Sequence, residues 1–224
     1  MAAAVRSTSA TTYASRTNTT ITAPAGIEDG DVLILVFELF YALTDIPSTL
    51  PSGFDLLTGF PSDINPASND HLVMKIARKV ASGESGDYTV THASATTQGS
   101  IVCISGASAA LPLATINTGT TSTVTATSIT PVADNSVVIY AAAHYDGFST
   151  TTPPAGTDPT FTEYLDGVIQ YVAAGVLSPA GATGDKSVTA DGVEDWHASL
   201  VAVEAAAAGA GAIAHLVTNR GLVF

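Results

Sequence analysis

The sequence predicts an all-β protein, and specifically an antiparallel β-sandwich with an extended C-terminal arm. Helical periodicity is nearly absent, and Gly, Pro and Asn interrupt the chain every roughly eight to twelve residues, which is the strand spacing of a sandwich. One order of strand-like and turn-like segments occurs twice along the chain. Hydrophobic residues make up 46% and charged residues 12% of the sequence, a composition typical of a packed domain rather than of disorder.

The repeated order begins at two similar turns. Asp29-Gly30-Asp31 precedes the apolar run 32–37, and Asp134-Asn135-Ser136 precedes the run 137–140. The segments that follow are 51–54, 71–77, 83–87, 88–91 and 99–104 in the first half, and 154–157, 168–172, 181–185, 186–189 and 196–201 in the second. Two such sets predict one two-sheet sandwich that arose by internal duplication, because a solenoid would have a shorter period.

The remaining segments are assigned in chain order. Residues 8–23 are predicted to form one or two outer strands, and residues 44–70, with four of the eleven prolines, a long loop across one end. Residues 112–130 alternate Thr with apolar residues and predict an edge strand that joins the halves. Within 71–77, alternation places Leu72, Met74 and Ile76 inward and Lys75 outward. The single cysteine, Cys103, lies in an apolar run and is expected to be a buried thiol.

The end of the chain differs from the rest. We expect the sandwich domain to cover residues 1–206, and residues 207–224 to form a flexible Ala/Gly joint followed by an apolar arm. The arm residues expected to contact a partner are Ile213, Leu216, Val217, Arg220, Leu222, Val223 and Phe224. Each large apolar group gains roughly 1.5–3 kcal/mol on burial, so the arm is expected either to dock on a neighbouring subunit or to fold back as a last strand.

The charge balance argues against two classes of partner. Seven Lys and Arg residues against twenty Asp and Glu residues give a net charge of -13. This charge repels phosphate backbones and anionic lipid headgroups, so we expect neither nucleic-acid nor membrane binding. The N-terminus lacks the pattern of a signal peptide, and no apolar stretch is typical of a membrane anchor. Synthesis in a cytoplasm is therefore expected.

Catalytic and metal-binding patterns are not recognisable in the sequence. The five histidines (His71, His92, His144, His197 and His215) are scattered singly, and no Gly-x-Ser-x-Gly motif is present. Acidic pairs such as Asp29/Asp31 and Glu194/Asp195 are equally well explained as turn formers, although calcium binding at these turns stays open. We therefore expect a protein that is not an enzyme and needs no cofactor or metal.

A carbohydrate-binding surface is the alternative that the aromatic residues leave open. Tyr145 and Phe148 lie in one short segment, and Trp196 precedes the last predicted strand. Flat aromatic rings can stack on sugar faces if they are exposed, whereas the competing interpretation places Trp196 in the core.

Several turn-and-strand motifs resemble those of jelly-roll virion proteins of tailed bacteriophages. They are Ala23-Pro24-Ala25-Gly26, Asp29-Gly30-Asp31-Val32, Pro51-Ser52-Gly53-Phe54, the segment 75–84 and Asp87-Tyr88-Thr89-Val90-Thr91. The resemblance covers roughly residues 20–206 and implies a jelly-roll-like sandwich of about eight core strands. It carries over no catalytic residue, since proteins of this kind are capsid decoration (cement) proteins or minor tail and fibre modules.

These observations together predict a non-enzymatic structural protein of a phage virion. The expected role is a capsid decoration protein on the capsid surface that stabilises the shell through contacts with the major capsid protein or other virion subunits, as a homo-oligomer made in the host cytoplasm. The alternative is a tail or fibre module that binds host-surface carbohydrate. An acidic surface, an apolar arm and the absence of disulfides agree with either role.

Overall fold

The structure is a computed structural model, and it describes residues 1–42, 48–64, 70–148, 152–155 and 158–207. This part of the chain contains strands, turns and irregular segments and no helix. The strands are β1 (Ala4–Ala10), β2 (Ala14–Ile21), β3 (Val32–Ala42), β4 (Ser48–Thr49), β5 (Asp55–Leu56), β6 (Ser62–Ile64), β7 (Asp70–Val80), β8 (Tyr88–Ser105), β9 (Leu113–Ala114), β10 (Asn117–Gly119), β11 (Thr123–Ala126), β12 (Ser136–His144), β13 (Thr162–Asp166), β14 (Gln170–Leu177), β15 (Lys186–Thr189) and β16 (Trp196–Val203). The all-β prediction is confirmed.

Each half of the chain builds its own antiparallel sheet, and the strand order is the same in both. The first sheet has the order β1-β8-β3-β7-β5, and the second has the order β10-β16-β12-β14-β13. In the first sheet β3 lies between β8 and β7, and in the second sheet β12 lies in the same way between β16 and β14. This repetition confirms the predicted sandwich with an internal duplication.

The turns that begin the two central strands also correspond. Gly30, before β3, has a φ of 91°, and Asn135, before β12, has a φ of 59°. Both values lie in the left-handed region, which glycine enters freely and asparagine tolerates better than most residues. The similarity seen in the sequence at these turns therefore reflects one backbone geometry used twice.

The inner faces of the two sheets form the central core. The largest contributors are Val32, Ile34, Val36, Leu72, Met74, Ile76, Val102 and Ile104 from the first sheet and Val137, Ile139, Val172, Val201 and Val203 from the second. Leu72, Met74 and Ile76 therefore point inward as predicted. Alternate residues of β3 and β12 belong to separate apolar clusters on the outer faces, which explains why these strands are almost continuously apolar.

An outer layer covers the first sheet and changes the predicted strand pattern. The sequence suggested two strands at 88–91 and 99–104, whereas β8 is one strand of 18 residues. Its first half pairs with β2, and Ile21 and Val90 pack with Leu35 and Phe37 on the outer face. The polar residues between the two apolar runs lie within the strand and do not interrupt it.

A second outer layer covers the other sheet. Residues 112–130 form the three short strands β9, β10 and β11 instead of the one edge strand expected. The last of these pairs with β15, and Val124 and Val188 of this pair join the cluster that contains Tyr140. The Tyr140 hydroxyl donates a hydrogen bond of 2.7 Å to the carbonyl of Val124, which fixes the layer to β12.

Lys75 is not the exposed residue that alternation predicted. Its side chain does point away from the central core, but only 9% of the residue is exposed. Its Nζ donates a hydrogen bond of 3.1 Å to the carbonyl of Ser48 in β4. The outer face at this position is covered by residues of the predicted long loop, whose described part also contains β5 and β6.

Candidate functional site

Polar side chains are buried between the two sheets toward the C-terminal ends of β3 and β12. We call this set the polar layer; it consists of Glu38, Gln98, Ser100, Gln170, His197 and Ser199. Each of these residues is 3% exposed or less. They continue the inner faces of their strands, since each lies two residues from an inward-facing position on its strand. A group of buried polar residues inside an apolar core is the least expected feature of the molecule.

Two members of the polar layer tie the sheets together. Gln170 Nε2 donates a hydrogen bond of 3.2 Å to the carbonyl of Val36, and His197 Nε2 is 2.8 Å from the carbonyl of Leu72. Because a carbonyl can only accept, His197 is the Nε2-protonated tautomer. Both bonds run from the second sheet to backbone of the first, so they fix the register in which the sheets face each other.

Burial changes the protonation of Glu38 and His197. Burial raises the pKa of Glu38 well above its ordinary value, and the neighbouring Gln170 amide opposes this effect only in part. Burial lowers the pKa of His197 to about 4. Both side chains are therefore held toward their neutral forms, as expected where water cannot solvate a charge. Neither carboxyl oxygen of Glu38 has a hydrogen bond of normal geometry among the described residues.

A cleft of about 460 Å³ opens beside the polar layer and is lined by both halves of the chain. Its walls are residues 10–13 between β1 and β2 and residues 165, 167 and 168 around the turn from β13 to β14. Gln98 is the member of the polar layer that lines it. Among the lining residues that the structure describes there is no carboxylate, histidine, cysteine or serine, so these residues offer no nucleophile–base pair and no pair of carboxylates for hydrolysis.

The two aspartates of the first acidic turn considered for calcium, Asp29 and Asp31, have partners within the protein. Asp31 Oδ2 lies 2.8 Å from Arg6 Nε and accepts a hydrogen bond of 3.4 Å from the Cys103 thiol. Asp29 Oδ1 accepts a hydrogen bond of 2.7 Å from the backbone nitrogen of Gly83. Within the described ranges, no three His, Cys, Asp or Glu side chains converge as a metal site would require.

Cys103 is a buried thiol, as predicted. It is 0% exposed, and burial together with the neighbouring Asp31 carboxylate raises its pKa to about 12. A thiol with such a pKa is almost fully protonated at neutral pH and is a poor nucleophile.

The aromatic residues proposed for carbohydrate binding do not form an exposed platform. Phe148 and Trp196 are only 4% and 6% exposed, and both belong to the outer apolar cluster of the second sheet. Tyr145 remains half-buried, with its ring 4.7 Å from that of Phe40 in an edge-to-face contact. Trp196 thus occupies the core position of the competing interpretation, and Phe148 lies in the same cluster. Carbohydrate binding through these residues stays a prediction.

The arm residues from Ile213 to Phe224 lie outside the described residues. The last described segment is attached at one end of the sandwich: Ala206 N donates a hydrogen bond of 2.9 Å to Gly106 O, and the amino group of Met1 lies 3.3 Å from Ala206 O. Clefts of about 410 and 480 Å³ adjoin this point, and Met1, Ala2 and Ala206 line both. The prediction that the arm contacts a partner stays a prediction.

Glu38, Gln98 and Gln170 were not recognised as candidate site residues from the sequence. The alternation of inward and outward side chains along a strand could have revealed them, because each is a polar residue at an inward-facing position. Using that signal requires the strand boundaries around residue 98, which the sequence did not provide.

Comparisons with family models, curated proteins and solved structures found no match for this chain. The described residues include no helix that could span a membrane.

Proposed function

We propose that the protein is a non-enzymatic structural protein of a bacteriophage virion, most simply a capsid decoration protein. In this role it binds the capsid surface and stabilises the shell through contacts with the major capsid protein and with its own copies. The observation that carries the proposal is the attachment of the last described residues, Ala205 to Ala207, at one end of a closed sandwich, immediately before an apolar sequence.

The sandwich itself supports a structural role. Its large apolar side chains are distributed over three clusters that use both faces of both sheets. The exposed large apolar residues within the described part are few, and they include Met1, Leu111 and Val132. A body of this kind stays soluble before assembly, so the contacts that join subunits are assigned to the arm.

The arm residues proposed to contact the partner are those expected from the sequence. Ile213, Leu216, Val217, Leu222, Val223 and Phe224 would together gain several kcal/mol by burial against another subunit, at roughly 1.5–3 kcal/mol for each fully buried group. Arg220 would add a charge-assisted hydrogen bond to a carboxylate or carbonyl of the partner.

The test uses virions that lack the protein. We expect such particles to assemble but to lose resistance to heat and osmotic shock, and to regain it when the purified protein is added. Particles that keep full resistance but fail to adsorb to cells would overturn the decoration role in favour of a tail or fibre module.

A second experiment tests the arm. Replacing residues 209–224 by a Gly/Ser segment of equal length is expected to leave a folded sandwich that no longer attaches to particles. The matched control is Val132→Ser, which removes an exposed apolar side chain near the attachment point and should not affect attachment. If the Gly/Ser variant attaches normally, the contact is made by the sandwich.

A further inference from the structure

The cleft beside the polar layer differs from the clefts near the termini because both halves of the chain build it. Thr11, Thr12 and Tyr13 form one side, and Leu165 and Val168 form the other. The site therefore exists only in the assembled sandwich. Its composition provides a direct guide to the chemistry of an occupant.

Gln98 supplies a fixed polar group to this cleft. The residue is 3% exposed, and its Oε1 accepts a hydrogen bond of 3.3 Å from the backbone nitrogen of Ile169. A Cβ at residue 167 would overlap this amide, so glycine is required there for Gln98 to lie in its place. An amide nitrogen held in this way favours a ligand that carries an acceptor oxygen.

The other described residues of the lining are mostly apolar. Tyr13 and Leu165 are half-buried, and Val168 is 54% exposed. The guanidinium of Arg16 donates a hydrogen bond of 2.7 Å to the carbonyl of Thr12, a residue of the lining. None of the described lining side chains is charged, which favours a neutral ligand over an anion or a cation.

We infer that this cleft binds a neutral saccharide. A sugar ring combines an apolar face, which Tyr13 can stack against, with hydroxyl oxygens that can accept from Gln98 Nε2. A peptide fits less well, because sheet proteins usually bind extended peptides along a strand edge, whereas this cleft is formed largely by the turns at 10–13 and 167–168. The inference is independent of the virion role.

The test begins with the intact protein on an array of neutral oligosaccharides, followed by titration of the free oligosaccharide that gives the strongest signal. We expect Tyr13→Ala to weaken binding at least tenfold and Thr12→Trp, which fills the mouth of the cleft, to abolish it. Two matched controls should bind like the unmodified protein. Thr17→Trp adds the same bulk at an exposed position of β2, and Tyr145→Ala removes an aromatic ring outside the cleft.

Three results would overturn the inference. The first is the absence of any binding oligosaccharide at millimolar concentration, with thermal unfolding of the protein normal. The second is binding that Tyr145→Ala removes and Thr12→Trp does not, which would place the site elsewhere. The third is competition: a synthetic peptide of residues 209–224 that binds the cleft and is blocked by Thr12→Trp would show that the arm is its occupant.

Discussion

Glu38 and Ala143 occupy equivalent positions in the two halves of the molecule. Glu38 lies six residues after Val32 in β3, and Ala143 lies six residues after Val137 in β12. Val32 and Val137 correspond, because each pairs with residues near the ends of both neighbouring strands. The duplication therefore placed a buried carboxylic acid in one sheet where the other sheet has a methyl group.

The neighbours of this pair differ as well. Glu38 pairs with Gln98 and Met74, whereas the equivalent neighbours of Ala143 are His197 and Gln170. Polar groups from both halves thus meet in one layer, although the equivalent positions of the two sheets carry different residues. Such a layer stabilises the fold less than apolar packing would, but it specifies one alignment of the sheets.

Replacing Glu38 by Gln should stabilise the protein at neutral and alkaline pH. The pKa of Glu38 is higher in the folded than in the unfolded protein. Its favourable contribution to the free energy of unfolding is therefore complete below its pKa in the unfolded chain, and it is lost as pH rises toward its pKa in the folded protein. We expect a gain on the order of 1–3 kcal/mol at pH 8, the scale of a buried polar group without a partner. Thermal unfolding from pH 4 to pH 9 should show the two melting curves converging in acid. Parallel pH profiles would contradict the assignment.

His197 should make the protein acid-sensitive. Burial lowers the pKa of His197 in the folded protein to about 4. Its favourable contribution to the free energy of unfolding is therefore complete above its pKa of about 6.5 in the unfolded chain, and it is lost as pH falls toward 4. The expected loss across this window is about 3 kcal/mol. Urea unfolding at pH 7 and pH 4.5 measures it, and His197→Gln should reduce the difference.

Opposite faces of β7 should respond differently to an acidic side chain. Met74→Asp is expected to unfold the domain, because it places a charge in the central core. Lys75→Asp should cost about 1–3 kcal/mol, since it removes the donor to Ser48 and leaves a nearly buried carboxylate. Lys75→Met, which keeps the aliphatic stem, should cost less. Denaturant unfolding orders the three variants, and equal tolerance of both Asp substitutions would contradict the packing.

Gly147 should not accept a side chain. Its φ is 86°, and a Cβ at this position would overlap the carbonyl oxygen of Val168. We expect Gly147→Ala to destabilise the protein by more than about 1 kcal/mol. The control Gly181→Ala, where a Cβ would meet no atom within 4 Å, should be neutral or slightly stabilising. Comparable melting temperatures for the two variants would show that the turn adjusts.

The sequence was informative about the fold where the signal was local. The turns at Gly30 and Asn135, the apolar runs after them and the inward set on β7 were all predicted, because turn chemistry and alternation act over a few residues. The continuity of β8 was not, since the polar residues Thr96, Thr97 and Gln98 separate its two apolar runs. The outer strands predicted within residues 8–23 are present as β1 and β2, whereas the division of residues 112–130 into three short strands was not predicted.

The candidate site was largely beyond prediction. Gln98 and the turn at Gly167 and Val168 are about seventy residues apart in the sequence, and nothing local indicates that they meet. Trp196 shows the same limit: its sequence position is compatible with the core and with the surface, and its packing against Gly119 of β10 and its place in the outer cluster of the second sheet decide for the core. Only the long-range pairing of strands decides which polar or aromatic residues are reachable.

The separation of the two halves into two sheets has a consequence for how the protein can be made. The ladder hydrogen bonds of β1 to β8 stay among those strands, and those of β9 to β16 stay among theirs. The chain passes from one set to the other along residues 106–112. A cut in this segment breaks no strand, so two separately expressed fragments would retain every ladder. The fragments would reassociate through the inner faces of the two sheets. The free energy of packing in the central core could then be measured as a binding equilibrium between the fragments.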